Sequence, residues 1–204
     1  MDNLDLIQHL ESSGVLTQSK IKQALLDILR EDFVQPEDRK FAYFDNALSI
    51  DFGQTISQPT TVVFMLELLA IHSEQKILEI GYGSGWQTAI LSKLVGEKGK
   101  VYAFEIVQEV AKFGKNNLKK FKIKNLKLYA SDYEKKIKTL GEMDRIISGA
   151  AFAEIPKNLL EILKIGGKLV APTHLQDIRL ITRKNQHEFI EKIYPGFIFV
   201  PITH

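Results

Sequence analysis

A glycine-rich stretch with an acid in front of it is the part of this sequence best suited to chemistry. Residues 79–86 read Glu-Ile-Gly-Tyr-Gly-Ser-Gly-Trp and follow an apolar run. Glycines at Gly81, Gly83 and Gly85 let the backbone turn sharply and approach a ligand closely. Their G-x-G-x-G spacing matches neither the dinucleotide pattern G-x-G-x-x-G nor the phosphate loop G-x-x-x-x-G-K-[ST]. By itself the stretch leaves open a tight turn without a ligand.

Two further acids follow the next two apolar runs. Glu105 lies at the end of the run 101–106, and Asp132 follows the run 126–130. In a nucleotide-binding α/β sheet, an acid after the second strand accepts hydrogen bonds from the ribose hydroxyls. Such an acid repels a 2′-phosphate, and the acid after the third strand can meet an adenine edge. The three features together predict a site for an adenosine-like ligand at the carboxyl ends of the strands.

The elements that must position these residues alternate from residue 76 onward between short apolar runs and helical patterns. Strands alternating with helices of about 10–15 residues indicate a doubly wound α/β fold with a mostly parallel sheet. The tail has apolar runs without helices between them, as antiparallel strands would. The predicted strands are 76–80, 101–106, 126–130, 144–148, 168–172, 178–183, 188–194 and 196–200, and the predicted helices are 86–95, 107–121 and 156–163.

The first third of the chain has helical rather than strand periodicity. Apolar residues recur at helical spacing near the start of the chain and again over 19–30. Thr17 or Ser19 is the expected N-cap of that second helix. A third helix is predicted over 60–71, after an irregular segment at 35–55.

The composition excludes several classes of protein and site. The 204 residues are 45% hydrophobic and 25% charged, as in a globular protein. The absence of cysteine excludes a disulfide framework, a Cys-ligated metal and a thiol nucleophile. The five histidines lack metal-ligand spacing, so we predict no metal site.

The distribution of charged and apolar residues bears on whether the protein binds nucleic acid, enters a membrane or is secreted. The net charge is +2, but residues 112–138 hold ten lysines and two acids. We interpret this run as a solvated helix face rather than a nucleic-acid surface. No segment approaches the roughly 18 apolar residues of a membrane span, and the acidic start is unlike a secretory signal. We therefore expect a cytoplasmic monomer that binds neither nucleic acid nor membrane.

Two motifs carry a resemblance to a known family. ILEIGYGSGWQTAIL (77–91) resembles the S-adenosylmethionine motif of class I methyltransferases. More narrowly, it is similar to the protein-L-isoaspartate O-methyltransferase family, whose loop reads much like EIGTGSGYQTA. FGQTISQP (52–59) is similar to that family's substrate-side signature G-Q-T-I-S-x-P. Further matching stretches at 10–17, 32–43, 144–151, 163–172 and 199–203 extend the resemblance over nearly the whole chain.

The resemblance implies a Rossmann-like methyltransferase fold with a mostly parallel seven-stranded sheet and an N-terminal helical extension. It implies one domain over 1–204, in which 1–75 carry the substrate-side motif and 76–204 the cofactor-binding sheet. The implied activity is methyl transfer from S-adenosylmethionine to the free carboxylate of L-isoaspartyl residues, which repairs damaged proteins or peptides. The implied site residues are Ser57 in the active site, Glu79, Gly81, Gly83 and Gly85 at the methionine end of the cofactor, Glu105 at the ribose and Asp132 at the adenine amine.

The sequence departs from the family pattern at two positions, and alternatives stay open. Tyr133 and His174 each occupy a position where the family usually has glycine. The position of His174 is expected to lie beside the substrate. A same-fold methyltransferase acting on RNA or a small molecule, and a non-catalytic cofactor-binding relative, are the alternative functions. Ser57 has an alternative role as the N-cap of the helix that starts at Pro59.

Overall fold

The computed structural model describes residues 1–203 and is organised around a mixed seven-stranded sheet. The strands are β1 (Leu48–Ser49), β2 (Thr55–Ile56), β3 (Lys76–Ile80), β4 (Lys100–Glu105), β5 (Leu126–Ala130), β6 (Met143–Ser148), β7 (Leu163–Thr173), β8 (Asp177–Arg183) and β9 (Phe189–Pro195). The helices are α1 (Asn3–Ser12), α2 (Ser19–Asp27), α3 (Pro59–Leu69), α4 (Trp86–Val95), α5 (Gln108–Leu118), α6 (Ile137–Leu140) and α7 (Lys157–Glu161). Short 3-10 turns lie at Arg30–Phe33, Pro36–Phe41 and Tyr133–Lys135.

The sheet has the order β5-β4-β3-β6-β7-β8-β9. The first five strands in this order are parallel, and β8 and β9 add two antiparallel pairings at one edge. The strand order reverses between β3 and β6, which is the place where open α/β sheets bind ligands. The predicted seven-stranded, mostly parallel sheet is therefore confirmed.

One predicted strand is wrong, because the segment 196–200 does not join the sheet. Gly196 takes a left-handed φ of 94°, which turns the chain out of β9. The backbone N–H groups of Gly196 and Phe197 both donate to the carbonyl of Gln176. The chain then crosses to Ala151, where Pro201 forms an isolated parallel bridge. Residues 200–203 consequently lie over the end of the sheet instead of extending its edge.

The two faces of the sheet bury separate hydrophobic clusters. Ile77 packs in a cluster to which α1–α5 contribute, whereas Leu78 packs in a second cluster with α6 and α7. Successive side chains of a strand point to opposite faces, so Ile77 and Leu78 bury β3 on both sides of the sheet. The N-terminal helices share the first cluster with the sheet, and this places the segment 42–57 beside the carboxyl end of β3.

Helix α2 is capped by a residue from another helix. Its N-cap residue is Gln18, which forms no side-chain cap hydrogen bond. Glu67 of α3 instead accepts hydrogen bonds from the backbone N–H groups of Thr17 and Gln18, both at 2.8 Å. A carboxylate at a helix N-terminus satisfies free N–H groups and complements the helix dipole. The expected cap by the side chain of Thr17 or Ser19 is therefore wrong.

Candidate active site

A cleft of about 640 Å³, counted with its solvent-open part, lies at the carboxyl ends of β3, β4 and β5. Four of the residues predicted from the sequence line it: Gly81, Gly83, Glu105 and Asp132. The β1–β2 hairpin adds Gln54 and Thr55 on one side, and the C-terminal segment adds residues 200–203 on another. The structure thus brings the glycine loop and both acids to one place.

The glycine loop has left-handed backbone at each of its three glycines, with φ of 75° at Gly81, 49° at Gly83 and 88° at Gly85. Gly81 and Gly83 line the cleft, but Gly85 does not. A Cβ at Gly85 would lie 2.8 Å from Leu118 of α5. Gly85 therefore allows α4 to pack on α5, which supports the loop from behind.

Two glycines outside the motif hold the loop in place. A Cβ at Gly114 of α5 would lie 2.2 Å from the carbonyl oxygen of Gly83. A Cβ at Gly149, after β6, would lie 2.6 Å from the carbonyl oxygen of Gly81. Real Cβ atoms do not approach oxygen so closely, so the loop conformation requires both glycines. Sequence reasoning assigned neither of them a role, although Gly149 lies in the matching stretch 144–151.

Glu105 is buried and fixed by backbone hydrogen bonds. Its Oε2 accepts from the N–H of Gly83 and its Oε1 from the N–H of Val107, both at 3.1 Å. Burial raises the pKa of Glu105 above its ordinary value, although these N–H groups offset part of the effect. The carboxylate is therefore oriented in advance, and it ties the glycine loop to β4.

Asp132 begins the 3-10 turn that follows β5. Its Oδ1 accepts from the backbone N–H of Glu134 at 2.9 Å. Tyr133, the departure from the family pattern, is buried and lines the cleft beside it. The turn thus presents a carboxylate and an aromatic side chain to the same part of the cleft.

Glu79 lies behind the glycine loop and lines no part of the cleft. Its side chain has no exposed surface, and its Oε1 accepts from the amide Nε2 of Gln87 at 3.0 Å. Its Oε2 has no hydrogen-bond partner within the described residues. Burial raises the pKa of Glu79 to about 7; neighbouring Thr88 and Gln87 oppose the shift and the charge of Glu105 adds to it.

A second space of about 360 Å³, also counted with its solvent-open part, adjoins the cleft and contains Ser57; we call it the chamber of Ser57. Thr55, Gly81, Gly83 and Gly149 line both spaces, so the two share a wall. Within residues 1–203 the Ser57 hydroxyl forms no hydrogen bond, and the N-cap residue of α3 is Gln58. The alternative interpretation of Ser57 as a helix cap is therefore wrong.

Arg30 positions the backbone around Ser57, and sequence reasoning missed it. Its buried guanidinium donates to the carbonyls of Ala42 at 2.6 Å, Asn46 at 2.9 Å and Ser57 at 3.1 Å. It also lies 5.4 Å from the centre of the Trp86 ring in α4, a cation–π distance. Burial lowers the pKa of Arg30 to about 10, with the charge of Asp45 opposing the shift, so the side chain remains charged at neutral pH.

The C-terminal segment lines the cleft, whereas the hairpin between β7 and β8 does not. Residues 200–203 form part of its wall, held by the N–H of Ile202 donating to the carbonyl of Ala151 at 2.9 Å. His174 is exposed in the hairpin between β7 and β8 and lines neither space. The expectation that His174 lies beside the substrate stays a prediction.

The residues present fit S-adenosylmethionine. The glycine loop forms a close backbone cradle whose left-handed residues exclude ordinary side chains. Glu105 offers an oriented carboxylate at the end of the second parallel strand, where ribose hydroxyls bind, and Asp132 follows the third. The sheet order and this cleft together define a methyltransferase of the Rossmann-like class.

Comparison with known proteins identifies the family. The family model for protein-L-isoaspartate(D-aspartate) O-methyltransferase matches residues 1–204. A protein-L-isoaspartate O-methyltransferase of Staphylothermus marinus is 38% identical over 97% of this chain and 92% of its own, and one of Methanopyrus kandleri is 36% identical over 97% and 89%. The chain belongs to the protein-L-isoaspartate O-methyltransferase family, as the sequence motifs predicted.

A solved structure has the same fold. It is described as a protein-L-isoaspartate O-methyltransferase from Plasmodium falciparum in complex with S-adenosyl-L-homocysteine. It superposes with a TM-score of 0.90 at 24% identity and covers 100% of this chain and 99% of its own. The Rossmann-like methyltransferase fold is thus confirmed over the length of the chain.

Among residues 1–203, none of the helices has the length and hydropathy needed to cross a bilayer. In the same part of the chain, no three His, Asp or Glu side chains are grouped so that they could hold a metal ion.

Proposed function

We propose that this protein transfers the methyl group of S-adenosylmethionine to the free carboxylate of L-isoaspartyl residues in damaged proteins and peptides. The observation that supports the proposal is that the cleft of the glycine loop, Glu105 and Asp132 shares a wall with the chamber of Ser57. A methyl group held at the edge of one space is then within reach of an acceptor in the other. Family membership indicates the reaction, and the two adjoining spaces can hold its two reactants.

Four residues are proposed to contact the cofactor. Gly81 and Gly83 would receive its methionine end, Glu105 the ribose hydroxyls, and Asp132 the adenine amine. When bound, the cofactor supplies a methyl group activated by a positively charged sulfur. Glu79 and Gly85, which lie behind the loop, would support this end of the site without lining it.

The protein's own task is mainly positioning. A carboxylate acceptor is already ionised at pH 7, so its attack requires no general base. The Ser57 hydroxyl has no hydrogen-bond partner within residues 1–203, and we propose that it donates to one oxygen of the acceptor and orients the other. Arg30 fixes the carbonyl of Ser57 and thus the backbone from which the hydroxyl extends. Alignment of reacting groups at about 3 Å supplies most of the rate gain in such a reaction.

A labelled-methyl assay with matched peptides tests the proposal. Purified protein, labelled S-adenosylmethionine and two peptides that differ only in isoaspartyl or aspartyl linkage are mixed at pH 7. We expect base-labile methyl ester on the isoaspartyl peptide and at least about tenfold less on its aspartyl partner. Transfer to RNA alone would instead support a nucleic-acid methyltransferase. Cofactor binding without transfer to any acceptor would support a non-catalytic relative.

The same proposal includes the organisation of the chain. We propose a single methyltransferase domain over 1–204 that acts as a cytoplasmic monomer, with neither nucleic acid nor membrane as partner. The hydrophobic cluster shared by the N-terminal helices and the sheet supports the single domain. Size-exclusion chromatography with light scattering tests the monomeric state.

A further inference from the structure

Among residues 1–203, no Lys, Arg or His lines the chamber of Ser57, although the proposed acceptor is an anion. Two of its polar groups are committed elsewhere: the Tyr82 hydroxyl donates to the carbonyl of Ala111 at 3.0 Å, and the Trp86 indole N–H donates to the carbonyl of Ile28 at 3.3 Å. The remaining donors are neutral.

The remaining side-chain donors are the hydroxyls of Thr55, Ser57 and Ser84 and the amide of Gln87. Gln87 lies in the first turn of α4 and is half-buried. One N–H of its amide donates to Oε1 of Glu79 at 3.0 Å, which fixes the side chain and leaves a second N–H free. Among these four donors, Gln87 has the longest side chain and an anchor of its own.

Glu79 is fully buried and lines neither space. Its Oε1 accepts a hydrogen bond from the amide of Gln87. Burial raises the pKa of Glu79, and the neighbouring Thr88 hydroxyl also opposes that rise. A buried carboxyl with an unpartnered oxygen costs stability and calls for an explanation. Orienting Gln87 is the role that the hydrogen bond between the two side chains supports.

We propose that Gln87 is a specificity-determining residue for the methyl acceptor: its amide, oriented by Glu79, donates a hydrogen bond to the acceptor carboxylate in the chamber of Ser57. A neutral amide is suited to this role, because a Lys or Arg would form an ion pair and weaken the attacking oxygen as a nucleophile. Glu79 is a positioning residue that acts through Gln87. The inference rests on the proposed methyl transfer to a carboxylate.

The protonation state of Glu79 should affect this contact. The groups around its carboxyl are Gln87 and Thr88 of α4, Glu105 of β4 and Tyr82 of the loop. An ionised Glu79 takes one N–H of Gln87, whereas a protonated Glu79 can donate to the amide oxygen and release both N–H groups to the chamber. With a pKa of Glu79 near 7, the acceptor should bind more tightly at pH 6 than at pH 8.

Gln87→Leu and Gln87→Glu test the inference with the isoaspartyl peptide. Loss of a hydrogen bond to a charged acceptor should raise the peptide KM by about 10–100-fold in Gln87→Leu. Gln87→Glu, which places a second anion in the chamber, should raise it further. The dissociation constant of S-adenosylmethionine, measured by calorimetry, should stay within about twofold. Gln23→Leu is the matched control, because Gln23 forms the same kind of amide–carboxylate pair with Asp27 at 3.0 Å on an exposed face.

The pH profile separates a positioning role of Glu79 from a structural one. The parent protein should show a peptide KM that rises between pH 6 and pH 8, and Glu79→Gln should show a flat KM over that range. A parent-like KM in a folded Gln87→Leu protein, or a flat profile in the parent, would overturn the inference. Failure of the parent to methylate the isoaspartyl peptide at all would instead refute the proposed function.

Discussion

The carboxylate of Asp45 accepts hydrogen bonds from both the backbone N–H of Thr60, at 2.8 Å, and its hydroxyl, at 2.7 Å. The same carboxylate accepts from the amide of Gln58 at 2.9 Å. Asp45 thereby closes the N-terminus of α3 from outside the helix. This arrangement relieves Ser57, which precedes α3, of any role in capping.

Ser57→Ala should therefore separate turnover from stability. We expect turnover at saturating cofactor to fall by about 10–100-fold, because one hydrogen bond to the reacting carboxylate is lost. The melting temperature should change little, since the Ser57 hydroxyl has no protein partner among the described residues. Asp45→Ala is the comparison: the lost cap should cost about 0.5–2 kcal/mol of stability. Full turnover together with a lowered melting temperature in Ser57→Ala would contradict the assignment.

Glu105→Gln should weaken cofactor binding while keeping the side chain's shape. The neutral amide accepts fewer hydrogen bonds and places an N–H against the N–H of Gly83 or Val107. We expect the dissociation constant of S-adenosylmethionine to rise by about 10–100-fold, or 1–3 kcal/mol. Isothermal titration calorimetry measures it, with His174→Gly as an exposed control outside the cleft. Unchanged affinity in a folded variant would remove Glu105 from the cofactor site.

Gly114→Ala should displace the glycine loop, because the new Cβ would lie 2.2 Å from the Gly83 carbonyl oxygen. We expect cofactor affinity to fall by at least about tenfold, with a stability loss of about 1–3 kcal/mol from overpacking. Gly99→Ala is the matched control: its Cβ would meet Val95 at 2.5 Å, at the opposite end of β4. The control should lose stability but keep the parent dissociation constant. Equal affinity in both variants would mean that the loop tolerates the shift.

The raised pKa of Glu79 predicts a stability that falls as the pH rises. The folded protein holds this proton up to a pKa of about 7, whereas the unfolded chain releases it near the ordinary value of about 4.3. Between these values the native state binds more protons, so ionising Glu79 costs up to about 3 kcal/mol by pH 8. Urea unfolding at pH 5 and pH 8 should show this loss in the parent and a smaller one in Glu79→Gln. Equal losses in both proteins would mean that another group titrates.

The sequence predicted the strands and site residues that can be recognised from their own neighbours in sequence. The glycine loop, Glu105 and Asp132 could be placed together because parallel strands bring their carboxyl ends to one edge of the sheet. The strands β3, β4 and β6 could be found because each contains a short, mostly buried apolar stretch, at 77–78, 101–104 and 146–147.

The sequence was uninformative where a residue's role depends on a distant partner. Gly114 and Gly149 matter only because the carbonyls of Gly83 and Gly81 approach them. Arg30 ends a helical pattern, and nothing near it in sequence indicates that it binds the carbonyl of Ser57. The segment 196–200 has strand-like residues, but the left-handed Gly196 turns it away from β9.

The cap of α2 by Glu67 has a consequence for the order in which the chain is made. Helix α2 has nine residues, fewer than the roughly 12–15 that an isolated helix needs in water. Its capping carboxylate is synthesised almost fifty residues later than Gln18. On the ribosome, the N-terminus of α2 is therefore satisfied only once α3 has been made.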